Sequence, residues 1–197
     1  MKIDEALKEL DKEKRNFSQS YDLAFSLKNI NLKNPENKFT KEIVLPHGHG
    51  KNILVGLISS NGDIKKSDLE AISDDKKAVK ELIKKYDFFI AEMPLMPLVG
   101  KVLGRYLAPT GRMPKPMPPG TDPKLMIEAA KKSIRIRLKD SPTIHCIIGK
   151  ESMSHEQIKE NAIAVIEEVK KALPKGENQI KNIFLKKTMS RPVKIEV

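Results

Sequence analysis

Hydrophobic and polar positions change period several times along the chain, and each change predicts an element. Ile3, Ala6, Leu7 and Leu10 recur at helical spacing in a charged stretch, predicting an amphipathic helix over residues 3–13. Residues 17–27 then alternate. Phe17, Gln19, Tyr21, Leu23, Phe25 and Leu27 fall on one side; Ser18, Ser20, Asp22, Ala24 and Ser26 fall on the other. Period two marks a half-buried strand. A polar segment with a turn at Asn34-Pro35-Glu36-Asn37 leads to a second strand, residues 40–45. Residues 53–59 are nearly all apolar, which predicts a strand buried on both faces. Ala78, Val79, Leu82, Ile83 and Tyr86 share one face of a helix over residues 76–86, and residues 88–91 form another short buried strand. Asp122-Pro123 reads as an N-cap with proline at the first helical position, opening a helix to about Lys132. Residues 134–138 alternate, residues 143–148 are apolar, and Asp140-Ser141-Pro142 lies between them, so the two strands are expected to pair as antiparallel neighbours. Ser154-His155-Glu156-Gln157 is a capping box. The helix after it buries Ile158, Ala162, Val165, Ile166, Val169 and Leu173, with Gly176 just past its end. Strands at 180–189 and 193–197 close the chain.

This order predicts two domains. Residues 1–50 and 134–197 make strands and helices of an α+β type, while residues 51–133 alternate strand and helix as a parallel α/β unit does. The expectation is one discontinuous α+β domain built from both chain ends, with an α/β domain inserted. The chain ends carry 22 basic and 16 acidic residues and the insert 15 and 10, so net charge does not single out either.

Residues 93–121 stand apart. They hold seven of the 13 prolines and four of the 10 glycines, no acid, and the basic residues Lys101, Arg105, Arg112 and Lys115. Proline fixes φ and removes a donor, and glycine tolerates positive φ. The second half of this stretch is therefore expected to be an irregular loop rather than a helix or a central strand. A basic, acid-free, restricted loop suits a phosphate-facing surface.

Composition narrows the partner. A net charge of +11 favours an anionic one, nucleic acid before a membrane surface. With 5% aromatic residues and no Trp, the chain can build few stacking platforms, so readout through shape, phosphate and 2′-hydroxyl is expected. Cys146 is the one cysteine, and it sits in an apolar run as a core residue. No apolar signal region opens the chain and no stretch is long enough to span a membrane, which points to the cytoplasm. His47-Gly48-His49-Gly50-Lys51 lacks the spacing of a phosphate loop and the partners of a metal site, and reads as a glycine-rich hinge. No nucleophile–base pair or dinucleotide fingerprint is visible, which argues against the rival reading of a nucleotide-using α/β enzyme. A general nucleic-acid-binding repressor is the other rival.

Two motifs carry a resemblance. Met96-Pro97-Leu98-Val99-Gly100-Lys101, followed after a short spacer by Gly111-Arg112-Met113-Pro114-Lys115-Pro116, resembles the signature of the ribosomal protein L-one family, in its archaeal branch. The resemblance implies a two-domain protein: a terminal-halves domain and a Rossmann-like three-layer α/β insert, joined by a two-stranded hinge near residues 50–52 and 133–134. It implies a structural, non-enzymatic constituent of the large ribosomal subunit with no cofactor or metal, monomeric within the ribosome. The partners implied are the stalk region of large-subunit rRNA, deacylated tRNA leaving the exit site and the protein's own mRNA, whose translation it would repress. Between Ile64 and Asp68 the chain is about a dozen residues too short for the helix and strand that the family leads one to expect there.

The resemblance also proposes site residues. An aromatic, a hydroxyl and an acid recur in the family's RNA-binding strand at the spacing of Phe17, Ser20 and Asp22, after Arg15. Periodicity alone would put Phe17 in the core. An acid cannot bond a phosphate but can accept from a 2′-hydroxyl. Near the C-terminus, Lys186, Lys187, Thr188, Met189, Ser190 and Arg191 form an acid-free basic run. The family carries Thr-Met-Gly where this chain has Thr188-Met189-Ser190, so Ser190 is a departure. Arg135 and Arg137 are further expected RNA contacts, and Lys101, Arg112 and Lys115 are secondary ones in the insert.

Overall fold

The computed structural model describes residues 1–12, 15–34, 37–60, 62–72, 75–118 and 121–196. The turn expected at Pro35-Glu36 lies outside them. The chain divides into two compact units, Met1–Lys51 with Lys132–Val197, and Asn52–Lys131.

The first unit contains α1 (Ile3–Leu10), β1 (Ser20–Leu27), β2 (Phe39–Val44), β6 (Ser133–Leu138), β7 (Thr143–Lys150), α7 (His155–Ala172), β8 (Ile180–Lys187) and β9 (Val193–Ile195). Its main sheet is antiparallel, in the order β7-β1-β8-β9. β1 alternates between half-buried and buried positions along its whole length. Tyr21, Leu23, Phe25 and Leu27 face inward and join Leu7 of α1 and Ile158, Ala162, Val165 and Val169 of α7 in one core. α7 starts as its capping box predicts: Ser154 Oγ accepts the Gln157 N–H at 3.3 Å, and Gln157 Oε1 accepts the Ser154 N–H at 3.3 Å.

β6 pairs with β2, not with β7, in a separate two-stranded sheet with Ile43 opposite Ile134. The hairpin expected from chain order does not form. The connecting segment is tied elsewhere, because the Leu27 N–H donates to the Pro142 carbonyl at 2.9 Å and delivers β7 to the edge of β1. Buried Ile134, Ile136 and Leu138 then alternate against β2.

The second unit is a parallel three-stranded sheet, β3 (Val55–Ile58), β4 (Phe88–Glu92) and β5 (Lys115–Met117), with α2 (Lys66–Ala71), α3 (Lys76–Lys85), α4 (Met96–Val102), α5 (Gly104–Thr110) and α6 (Pro123–Lys132). Successive residues of β4 serve opposite faces. Phe89 and Ala91 pack with Val79, Val99, Leu103 and Leu107 from α3, α4 and α5. Phe88 and Ile90 pack with Met117 and with Ala130 of α6. The result is three layers, helix–sheet–helix. Where the family pattern led one to expect a longer helix and a strand, this chain has the short α2 and a single bridge between Ile58 and Ile64.

Residues 93–121 are more regular than their prolines suggest. They form a 3-10 turn at Met93–Leu95, α4, α5 and β5. Pro94 and Pro97 fall in first turns, where the missing N–H has no intrahelical partner to lose. Pro116 lies in β5, an edge strand, which tolerates a missing donor. Gly111 ends α5 in the left-handed conformation, φ 66°, that a side chain would resist.

Each unit has its own core, and the first is closed on itself where the chain leaves and returns: the Leu45 N–H donates to the Lys132 carbonyl at 3.0 Å. Replacing residues 52–131 with a short Gly/Ser linker is therefore expected to leave a folded protein. Circular dichroism should show helix and strand together with a cooperative thermal transition; a broad, non-cooperative melt would contradict independent folding.

Candidate nucleic-acid interface

Because β1 runs antiparallel to both β7 and β8, the start of β1 and the ends of its neighbours meet at one end of the sheet. Ser20 is opposite Lys150, and Tyr21 is opposite Lys187. The segment before β1 and the turn after β8 are then locked together. The Ser20 N–H donates to Thr188 Oγ1 at 3.1 Å, and the Thr188 N–H donates to the Ser20 carbonyl at 3.1 Å. The Met189 N–H donates to Gln19 Oε1 at 3.2 Å. Sequence positions 17–22 and 186–191 thus make one site, although about 170 residues separate them.

At this site two large apolar side chains lie open. Phe17 is 51% exposed and Met189 61%. Phe17 lies three residues before β1; the inward row extends back from the strand to Gln19 but not to Phe17. Arg15, Thr188 and Arg191 are exposed as well. Asp22 lies on the outward face of β1, opposite Lys186 of β8. Half-burial pushes its carboxyl above the ordinary range, against the pull of Lys186, Lys51 and His145. Ser190 turns its hydroxyl back into its own turn: the Lys187 N–H donates to Ser190 Oγ at 2.8 Å, and that hydroxyl lies 3.3 Å from the Lys187 carbonyl. The Ser190 side chain therefore closes the turn.

Lys187 does not lie on the surface. It is 1% exposed, with Nζ 2.7 Å from Asp11 Oδ1 and 2.9 Å from Glu151 Oε1, and 5.2 Å from the centre of the Tyr21 ring. The expectation that it meets a phosphate gives way to a role as a buried cation. Its neighbour Lys186 is half-buried on the outward face. Arg135 and Arg137 belong to β6, in the other sheet, and the Arg135 guanidinium is paired through Nε and a terminal nitrogen with Glu42. Lys101, Arg112 and Lys115 lie in the second unit, Lys101 exposed and the others half-buried.

Sequence reading missed Asp11, Gln19 and Glu151. The signal for Gln19, and for the burial of Lys187, was present. β8 buries Ile183, Leu185 and Lys187 at period two, and Gln19 continues the inward row of Tyr21 and Leu23. Asp11 and Glu151 follow the ends of α1 and β7, where no periodicity reaches.

Elsewhere, Cys146 is buried and its thiol is pushed up to about 12, chiefly by burial, while adjacent His145 is exposed on the opposite face. Among the described residues no His/Cys/Asp/Glu cluster could hold a metal ion, and no helix is long and apolar enough to cross a membrane.

The open strand end displays an aromatic, a hydroxyl, an acid and basic residues together, a set of groups that suits a nucleic acid. Comparison with known proteins makes this specific: residues 7–191 match the Ribosomal protein L1p/L10e family, and the chain belongs to that family. It is 44% identical to the large ribosomal subunit protein uL1 of Pyrococcus horikoshii, over 99% of this chain and 95% of that one. It is 41% identical to the uL1 protein of Thermococcus kodakarensis, over 99% and 97%, and 37% identical to that of Methanobrevibacter smithii, over 97% of each. The family consists of structural ribosomal proteins and is not enzymatic.

The buried charges make stability depend on pH. Hydrogen bonds from Lys187 and from the Gln19 N–H hold Glu151 below the ordinary carboxylate range. Burial alone would raise Asp11, but hydrogen bonds from Lys187 and Tyr21 outweigh it and hold that carboxyl low as well. Burial alone would lower Lys187, yet Asp11 and Glu151 hold its pKa above the usual lysine range. Depressed carboxylates contribute stability above their unfolded pKa, about 4, that is lost as pH falls through the folded values. The raised lysine contributes below its unfolded value and loses that contribution only as pH rises beyond about 10. Urea unfolding is expected to show a plateau across neutral pH with an acid limb below about pH 4. Lys187→Met should make that limb shallower; an unchanged limb would mean the carboxylates owe little to the ammonium.

Proposed function

We propose that the end of the main sheet, formed by the segment before β1 and the turn after β8, binds the stalk region of large-subunit rRNA. The chain is by its family a structural constituent of the large ribosomal subunit, working in cytoplasmic ribosomes. What supports this location is the convergence of Phe17, Ser20, Asp22, Thr188 and Met189 at one sheet end, two of them apolar and more than half exposed. Phe17 and Met189 offer faces for bases, and Thr188 and Ser20 offer hydroxyls to sugar or phosphate oxygens. Asp22 accepts from a 2′-hydroxyl, which separates RNA from DNA. Arg15, Lys186 and Arg191 supply phosphate contacts.

On this reading the first unit recognises RNA, and the second adds contacts through Lys101, Arg112 and Lys115 as it moves about a hinge near residues 50–52 and 133–134. Release of deacylated tRNA from the exit site is the work proposed for that motion. Repression of the protein's own mRNA follows if that message presents the same RNA shape to the same sheet end.

Binding to a stalk rRNA fragment tests the location. Phe17→Ala should weaken binding by about 1–3 kcal/mol, the worth of one base stacked on an aromatic ring, and Met189→Ala by less, with unfolding unchanged because both side chains are exposed. Lys84→Ala, on α3, should have no effect. Full-strength binding by both apolar variants would place recognition elsewhere.

Salt separates positioning from readout. Removing Arg15 and Arg191 together should make the log–log dependence of affinity on salt shallower by about 2, while preference over an unrelated RNA largely persists. An unchanged slope would remove both residues from the phosphate contacts.

A further inference from the structure

The inward row of β8 runs Ile183, Leu185, Lys187, each under a tenth exposed. A lysine can end such a row only if its ammonium is paired. Here the partners come from three places in the chain: Asp11 at the end of α1, Glu151 just past β7, and the Tyr21 ring on β1. Asp11 is shared further, since the Tyr21 hydroxyl donates to its Oδ1 at 2.7 Å and its Oδ2 is paired with His155 Nε2. From Glu151 the contacts lead back to the outer turn. Glu151 Oε2 accepts the Gln19 N–H at 3.2 Å, the Glu151 N–H donates to the Gln19 carbonyl at 2.9 Å, and Gln19 Oε1 accepts the Met189 N–H. Lys187 also grips the turn directly, donating its own N–H to Ser190 Oγ.

We propose that Lys187 is a positioning residue for RNA recognition: its buried ammonium gathers α1, the segment after β7 and the start of β1, and so sets the Thr188–Met189–Ser190 turn against the Phe17 segment without touching RNA. Stability alone does not call for a charge here, because apolar replacement of a whole buried ion group is often neutral or better. An apolar side chain would fill the space, but it would not draw Asp11 and Glu151 to one point. The charge serves the geometry of the turn. This inference rests on the proposed function, in which that turn meets RNA.

The test uses the full chain with a large-subunit rRNA stalk fragment and an unrelated stem–loop as competitor. Measurements are made at a temperature where circular dichroism shows each variant folded. Lys187→Met is expected to weaken binding to the stalk fragment about tenfold or more, with little change for the competitor, and to speed hydrogen exchange at the Met189 amide. Lys187→Arg, which keeps the cation, should restore part of the preference. If Lys187→Met does not fold, Glu151→Gln makes the same comparison, since that carboxylate keeps a solvent-facing side. A natural chain that prefers the stalk fragment and a variant that prefers it equally would overturn the positioning role alone. A natural chain without preference would overturn the proposed function and the positioning role together.

Discussion

The placement of β1 between β7 and β8 is the constraint on which the rest depends. A strand from the first thirty residues is hydrogen-bonded on one side to residues 143–150 and on the other to residues 180–187. Neither ladder can form until the chain has returned from the second unit, so the first unit is a product of both chain ends. The same antiparallel arrangement brings the start of β1 beside the ends of its neighbours. Two loops far apart in sequence thereby become one surface, held by the Thr188 N–H donating to the Ser20 carbonyl and the Ser20 N–H donating to Thr188 Oγ1.

That surface has a dry side and a wet side. Beneath it lie Tyr21, Lys187 and Gln19, each 1% exposed, with Asp11 and Glu151 at the rim. Above it lie Phe17, Met189, Thr188 and Arg191. Taking charges out of water costs about what their pairing returns, so an ion group of this kind adds little net stability. Exposed apolar side chains contribute nothing to folding until something covers them. On the proposed function, the lower side sets the shape of the turn and the upper side is where the bases and sugars of a bound RNA would lie.

Much of this was legible from periodicity. The alternation of residues 17–27, the capping box at Ser154 and the proline-led start of α6 depend on local physics that neighbouring residues carry. What failed was non-local or was decided at ends. β6 and β7 are neighbours in sequence, yet each found another strand: β6 pairs with β2 and β7 with β1, contacts between residues far apart in the chain that local pattern does not carry. The prolines in the second half of residues 93–121 pointed to an irregular loop, yet α5 runs on to Thr110 with Pro109 inside it and Pro116 sits in the short edge strand β5. Lys187 was read by its charge as a surface group, although its place two residues after Leu185 puts it inward. At the site, Phe17 was ambiguous because alternation and exposure disagree three residues before the strand begins.

Hydrogen exchange of the natural chain, with and without a stalk rRNA fragment, tests the central claim most directly. Backbone amides at residues 15–22 and 186–191 are predicted to slow on binding, with the outward-facing remainder of the protein changing much less. Protection confined to residues 52–131, with the two segments at the sheet end unchanged, would contradict the assignment of recognition to this surface.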